Sequence, residues 1–156
     1  MRSKTSNDLP FIEVSSTLPA TAEHLGSVYA SLSQFWAELQ RSHPSPPDET
    51  WRAQFHTAVG EIVSNIIRHA YTSTSAAGEI SITIDGFHDR VEALFQDHGV
   101  PYSASPIAEA RIPADRMDVV DLPEGGWGLA LTLAAVDHLS YTREADTNYW
   151  RIIKKL

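Results

Sequence analysis

The spacing of hydrophobic positions changes along this chain, and each change indicates a new element. Phe11 to Leu18 is rich in β-branched and aromatic residues and is closed by Pro19, which predicts a first strand at a sheet edge. From Thr21 to Arg41 apolar residues recur at steps of three and four, which predicts an amphipathic helix. Its apolar positions are Leu25, Val28, Leu32, Phe35, Trp36 and Leu39.

A second helix is predicted after a proline-rich connector. Ser42 to Asp48 contains three prolines and cannot continue a helix, because proline lacks the backbone donor. Asp48 is a natural N-cap, and apolar residues follow it at helical spacing as far as Ala70. The connector is too short to separate domains, so we expect both helices in one unit.

The next apolar pattern predicts a β-hairpin. Glu79 to Phe87 alternates isoleucines with polar residues, as a half-buried strand does. Turn residues follow, and Arg90 to Gln96 is predicted to be the partner strand, with the hairpin ending at Asp97.

The last part of the chain predicts one more helix and one more hairpin. The helix spans Trp127 to His138, and the hairpin pairs Leu139 to Arg143 with Tyr149 to Ile153. This order favours an α+β fold: a two-layer sandwich with helices on one face of a mixed, mostly antiparallel sheet.

Length and composition indicate one domain. The chain has 156 residues, of which 42% are hydrophobic, enough for a real core. We expect a tail at 1–10 and a single domain at 11–156. The stretch at about 100–124 is rich in proline, alanine and aspartate. A stretch this long inside a compact domain is either a functional lid or partly disordered, and we favour a lid that covers a site. Arg111 and Arg116 in this lid are possible phosphate partners, or simply solvated charges.

Charge and cysteine content exclude several functions. The net charge of −8 argues against binding nucleic acid or an anionic membrane surface, because phosphate groups would repel the protein. No cysteine is present, so disulfides and thiolate chemistry are excluded. Without an apolar run of about 20 residues there is no predicted membrane span. We therefore expect a cytoplasmic protein.

The second predicted helix carries a line of polar residues. Glu61, Asn65 and His69 lie at i, i+4 and i+8 in the segment E-I-V-S-N-I-I-R-H, so they project from one side of the helix. An isolated pattern of this kind is more often only the solvated side of an amphipathic helix. His69 can line a site or interact favourably with the helix C-terminus.

A second segment, D-H-G-V-P, directly follows a predicted strand. Gly99 permits close backbone approach to a ligand, and the Asp97 carboxylate can accept a hydrogen bond from the exocyclic amine of a purine. Alone, the segment is also typical of a strand-ending turn.

A third segment, E-G-G-W-G-L, precedes the last helix. Gly125, Gly126 and Gly128 leave backbone N–H groups unhindered, so that these groups and the helix dipole can hold phosphate oxygens. A lone glycine cluster is more often a flexible loop before a helix start. The occurrence of all three segments in this order is what favours a nucleotide site.

In this order the segments resemble the nucleotide-binding boxes of the GHKL ATPase superfamily, specifically the anti-sigma-factor serine/threonine kinases. D-H-G-V-P-Y resembles the family's D-x-G-x-P-F. G-G-W-G-L with the later V-D and L-S-Y resembles G-G-x-G-L, V-D and V-x-Y. The resemblance extends from Phe11 to the C-terminus. It departs from the family before Asn148, where Asp146 and Thr147 stand in place of the usual glycine.

The resemblance implies a histidine-kinase-like ATPase fold and a role for each motif residue. Asn65 would coordinate Mg²⁺, Glu61 would be the general base, and Asp97 with Gly99 would hold the adenine of ATP. The other implied cofactor contacts are His69, Gly125, Gly126, Gly128, Leu129 and Asn148.

The resemblance also implies a function. Such a protein sequesters a sigma factor and phosphorylates a STAS-type anti-anti-sigma protein on serine, using ATP and Mg²⁺, and it can form a homodimer. Two alternatives stay open at this point: a non-catalytic ATP-binding interaction module of a signalling complex, and the catalytic domain of a histidine kinase. The short lid and the direct G-G-x-G-L favour the anti-sigma group over the latter.

Overall fold

The computed structural model of the protein describes residues 9–71, 78–102 and 127–156. Over these residues the helices and strands follow the predicted order: β1 (Ile12–Pro19), α1 (Leu25–Ser42), α2 (Glu49–His69), β2 (Glu79–Gly86), β3 (Arg90–Asp97), α3 (Trp127–Ala135), β4 (His138–Glu144) and β5 (Thr147–Lys155). A single 3-10 turn, Ala22–His24, precedes α1. None of the described helices is both long and apolar enough to cross a membrane.

The last helix is shorter than the sequence predicts. It ends at Ala135 rather than at His138, because the chain has by then joined the sheet. His138 pairs with Ile153, and the Asp137 N–H donates to the Ile153 carbonyl at 2.9 Å.

The five strands form one sheet in the order β1-β2-β3-β5-β4, with β1 at an edge as predicted. The two-layer α+β prediction is confirmed, but the prediction of a mixed sheet is wrong, since every pairing between the described strands is antiparallel. Strands β3 and β4 run in the same direction because both oppose β5. They do not pair, because β5 lies between them.

The helices cover one face of the sheet and enclose the core with it. In β2, Ile80, Ile82 and Ile84 are buried against this layer, which is the alternation predicted from the sequence. Each large apolar side chain buried in this way contributes roughly 1.5–3 kcal/mol to folding. The largest fully buried side chains include Phe35, Phe55, Phe95, Trp150, Ile62 and Ile66.

Helix α2 runs along the core and carries the first polar motif. Asp48 caps it as predicted, because its Oδ1 accepts from the Trp51 N–H at 2.8 Å. Phe55, Ile62 and Ile66 turn its apolar side into the core. The other side of α2 is polar and partly exposed, and it carries Glu61, Asn65 and His69.

Candidate functional site

A pocket of about 220 Å³ opens between the C-terminal end of α2 and the sheet. Asn65 and His69 from α2 line it together with Asp97 from the end of β3, so the structure brings these three predicted residues together. The other residues that line it are Ile66, Ala70, Val100, Pro101, Tyr102, Asn148 and Trp150.

Asp97 is the most buried polar group of the pocket, with 1% of its surface exposed. Its Oδ1 accepts from the Gly99 N–H at 2.9 Å and from Asn148 Nδ2 at 2.8 Å. Its Oδ2 is buried and has no partner within the described residues. Because an unsatisfied buried acceptor is costly, a ligand that donates here, such as a purine amine, would gain a strong hydrogen bond.

Backbone contacts fix the segment that follows β3. The Val100 N–H donates to the Ala70 carbonyl at 2.8 Å, and the Tyr102 N–H donates to the Tyr141 hydroxyl at 2.9 Å. A Cβ added to Gly99 would lie 2.3 Å from the Ala70 carbonyl oxygen. The close approach that Gly99 permits is therefore one between this segment and the end of α2.

Aromatic rings form one wall of the pocket. Tyr102 meets Trp150 edge-on, with ring centroids 4.9 Å apart, and Trp150 is only 2% exposed. Burial raises the pKa of the Tyr102 phenol, so its hydroxyl keeps its proton at neutral pH. With Ile66 and Val100 also lining the pocket, these rings provide the apolar surface that a flat heterocyclic base requires.

Asn65 has the chemistry of a magnesium ligand. It is half-buried in the pocket, and its Nδ2 has no hydrogen-bond partner among the described residues. Mg²⁺ takes oxygen ligands and is usually held by few protein groups together with substrate phosphates. One neutral amide oxygen beside this pocket fits that pattern.

Glu61 lies one turn before Asn65, and it is not among the residues that line the pocket. Its side chain is 30% exposed and faces the start of α3, where a Cβ added to Gly128 would lie 2.3 Å from its Oε2. Arg68 Nη2 is 4.0 Å from the same oxygen. The first turn of α3 is therefore packed directly against the proposed base.

The remaining predicted contacts are placed differently. Leu129 packs its side chain into the hydrophobic core, 9% exposed, rather than along the pocket. Gly125, Gly126 and both lid arginines, Arg111 and Arg116, lie outside the described residues.

Sequence reasoning missed the residues that surround Asn148. This side chain is 2% exposed, and its Oδ1 accepts from Tyr141 at 2.7 Å and from Arg143 at 2.6 Å. Its Nδ2 donates to Asp97, so both ends of the amide are engaged by protein groups. Spacing two apart on one strand places Tyr141 and Arg143 on the same face of β4, but only the sheet order brings that face to Asp97.

Known proteins have sequences similar to this chain. A family model described as the histidine kinase-like ATPase domain matches residues 18–154. The serine-protein kinase RsbW of Staphylococcus epidermidis is 28% identical over 129 residues, which cover 82% of this chain and 77% of that protein. The RsbW of Bacillus licheniformis is 29% identical over 130 residues, or 83% of this chain and 76% of that one.

A solved structure shares the fold. The crystal structure of the RsbU and RsbW domains of a Mycobacterium tuberculosis protein superposes with a TM-score of 0.63 and 22% identity. The match covers 94% of this chain but 32% of that one, so this protein spans about a third of it. The family match contains all three motif segments and every residue that lines the pocket. This chain belongs to the histidine kinase-like ATPase domain family.

Proposed function

We propose that this protein is an anti-sigma factor and an ATP-dependent kinase that phosphorylates a STAS-type anti-anti-sigma protein on serine. The observation that carries the proposal concerns Asp97, which lines a pocket together with Asn65 and whose buried Oδ2 has no partner within the described residues. Relatives named serine-protein kinase support the reaction type.

In this proposal the pocket binds the adenine of ATP. The exocyclic amine donates to Asp97 Oδ2, and the base lies against the aromatic wall of Tyr102 and Trp150. The pocket is smaller than the roughly 300–1,000 Å³ of sites that enclose a drug-sized ligand, which suits a nucleobase whose phosphates extend beyond it. Mg²⁺ held by Asn65 and the phosphates would neutralise charge on the transferred group.

Glu61 serves as the general base. It accepts the proton of the acceptor serine hydroxyl while the serine oxygen bonds to the γ-phosphorus and the bond from that phosphorus to the β,γ-bridging oxygen breaks. ADP leaves with that oxygen, and Glu61 then releases the proton to solvent. Its partial exposure supports this role, because a protein substrate has to reach it.

The partners follow from the family group rather than from a contact in the structure. A sigma factor and a STAS-domain antagonist would compete for this protein, so that phosphorylation of the antagonist prolongs sequestration of the sigma factor. A homodimer is part of the same proposal.

The test is phosphoryl transfer with purified components. The protein is incubated with γ-labelled ATP, Mg²⁺ and each STAS-domain protein of its own organism. We expect label on one STAS protein and none on the variant in which its phosphorylated serine is alanine. Tight ATP binding without transfer to any STAS protein would overturn the kinase and favour the non-catalytic interaction module.

A further inference from the structure

A chain of hydrogen bonds connects the edge of the sheet to the proposed adenine acceptor. It begins at Arg143 and Tyr141 on β4, passes through the buried amide of Asn148 on β5, and ends at Asp97 on β3. Asn148 and Asp97 are 2% and 1% exposed, so water has little access to replace these bonds.

The donors on β4 fix which way the Asn148 amide points. A guanidinium can only donate, so Arg143 at 2.6 Å requires the oxygen of the amide to face it. The Tyr141 hydroxyl accepts from the Tyr102 N–H and has its own proton left to donate to the same oxygen. The amide nitrogen must then face Asp97, whose carboxylate accepts from it at 2.8 Å.

This orientation decides which oxygen of Asp97 is offered to a ligand. Oδ1 already accepts from Asn148 and from the Gly99 N–H, while Oδ2 stays without a partner in the described part of the chain. The fixed acceptor matches the amino group of adenine and opposes guanine, which carries a carbonyl oxygen at the equivalent position. If the amide turned over, its oxygen would face the carboxylate and the ordered acceptor would be lost.

We propose that Arg143 and Tyr141 are positioning residues for nucleobase selection, which act through Asn148 to hold Asp97 as an acceptor for adenine. The inference rests on the proposed ATP site. It also assigns Asn148 to support of Asp97, since every atom of its amide that can form hydrogen bonds has a protein partner.

The test is the ratio of ATP to GTP affinity, measured by calorimetry in Mg²⁺ for the whole protein. We expect Arg143→Met to weaken ATP binding about tenfold, as expected for loss of a charged hydrogen bond, with GTP binding unchanged or improved. Arg143→Lys, which restores a donor, should recover part of the ratio. Tyr141→Phe is a milder variant that should shift the ratio in the same direction, and it keeps the test valid if Arg143→Met does not fold.

Arg151→Met is the matched control. Arg151 is an arginine on β5 that pairs with Glu92 at 2.6 Å and forms no hydrogen bond with Asn148 or Asp97. It should leave the ratio unchanged. Equal losses of ATP and GTP affinity in the Arg143 and Tyr141 variants, or no change in either, would overturn the inference while leaving the ATP site intact. Failure of the wild-type protein to bind ATP would instead overturn the proposed function.

Discussion

The two ends of the candidate site differ in how firmly they are held. At the pocket, Asp97 of β3 and Asn148 of β5 are almost fully buried and joined by a 2.8 Å hydrogen bond. At the other end, Glu61 of α2 is 30% exposed, and its ion-pair partner Arg68 is 4.0 Å away and itself 59% exposed. The proposed adenine-binding end is preorganised by the core, whereas the proposed transfer end is free enough to adjust to a protein substrate.

If this difference has functional meaning, changes at one end should affect nucleotide affinity and changes at the other should affect transfer. Glu61→Gln provides the largest expected effect. We expect phosphoryl transfer to fall by about 10²- to 10⁴-fold, the usual contribution of a general base, with ATP affinity retained. Glu38→Gln, an exposed glutamate on α1 that pairs with Arg41, is the control. Transfer at the wild-type rate in Glu61→Gln would exclude Glu61 as the base.

Asp97→Asn should instead reduce the affinity for ATP. Loss of the carboxylate removes a charged hydrogen bond worth about 1.5–3 kcal/mol, so we expect ATP affinity to fall about 10- to 100-fold. Displacement of a fluorescent ADP analogue measures this directly.

The matched control for this variant is Asp85→Asn on β2. Asp85 also has a buried oxygen without a partner in the described residues, but it does not line the pocket. Burial raises the pKa of Asp85, with a further contribution from Glu13. If Asp85→Asn weakened ATP binding as much as Asp97→Asn, the proposal that this pocket binds adenine would be contradicted.

Two glycines permit a direct comparison of the ends. In Gly99→Ala the new Cβ would meet the backbone oxygen of Ala70 at 2.3 Å, and this rigid contact should cost about 1–3 kcal/mol of unfolding free energy. In Gly128→Ala the three atoms nearest to the new Cβ all belong to the Glu61 side chain, whose carboxylate can move. We therefore expect Gly128→Ala to slow transfer with little loss of stability.

Denaturant unfolding and transfer assays on both variants separate the two cases. Alanine also has a helix propensity higher than that of glycine by up to about 1 kcal/mol, which further protects the stability of Gly128→Ala. Equal destabilisation by the two substitutions would show that the transfer end is as rigid as the base-binding end.

Arg68→Ala should have the smallest effect. The ion pair with Glu61 is long and exposed, and pairs of this kind contribute at most about 1 kcal/mol. Urea unfolding should give a free energy within that margin of the wild type. A larger loss would mean that Glu61 is held more firmly than its exposure indicates.

Local patterns were sufficient to predict the order of the elements, although not the end of the last helix. The Asp48 cap, the alternating isoleucines of β2 and the edge position of β1 follow from neighbouring residues, and all are present. Three of the residues that the motifs predict for the site, Asn65, His69 and Asp97, line one pocket.

Contacts between distant segments could not be predicted in this way. Asn148 and Asp97 are 51 positions apart, and they meet because β5 enters the sheet between β3 and β4. Because β5 lies between β3 and β4, these two parallel strands do not pair with each other, and a mixed sheet would need such a parallel pairing. The packing of Gly128 against Glu61 likewise depends on how α3 lies on α2, which no periodicity specifies.

The most direct test of the central claim is calorimetric titration of the purified protein with ATP, once with Mg²⁺ and once with a chelator, alongside Asn65→Ala. The proposed site predicts binding that is strong with Mg²⁺, weaker with the chelator, and insensitive to the chelator in Asn65→Ala. Absence of ATP binding by the wild type, or an affinity unaffected by both the chelator and the substitution, would contradict it.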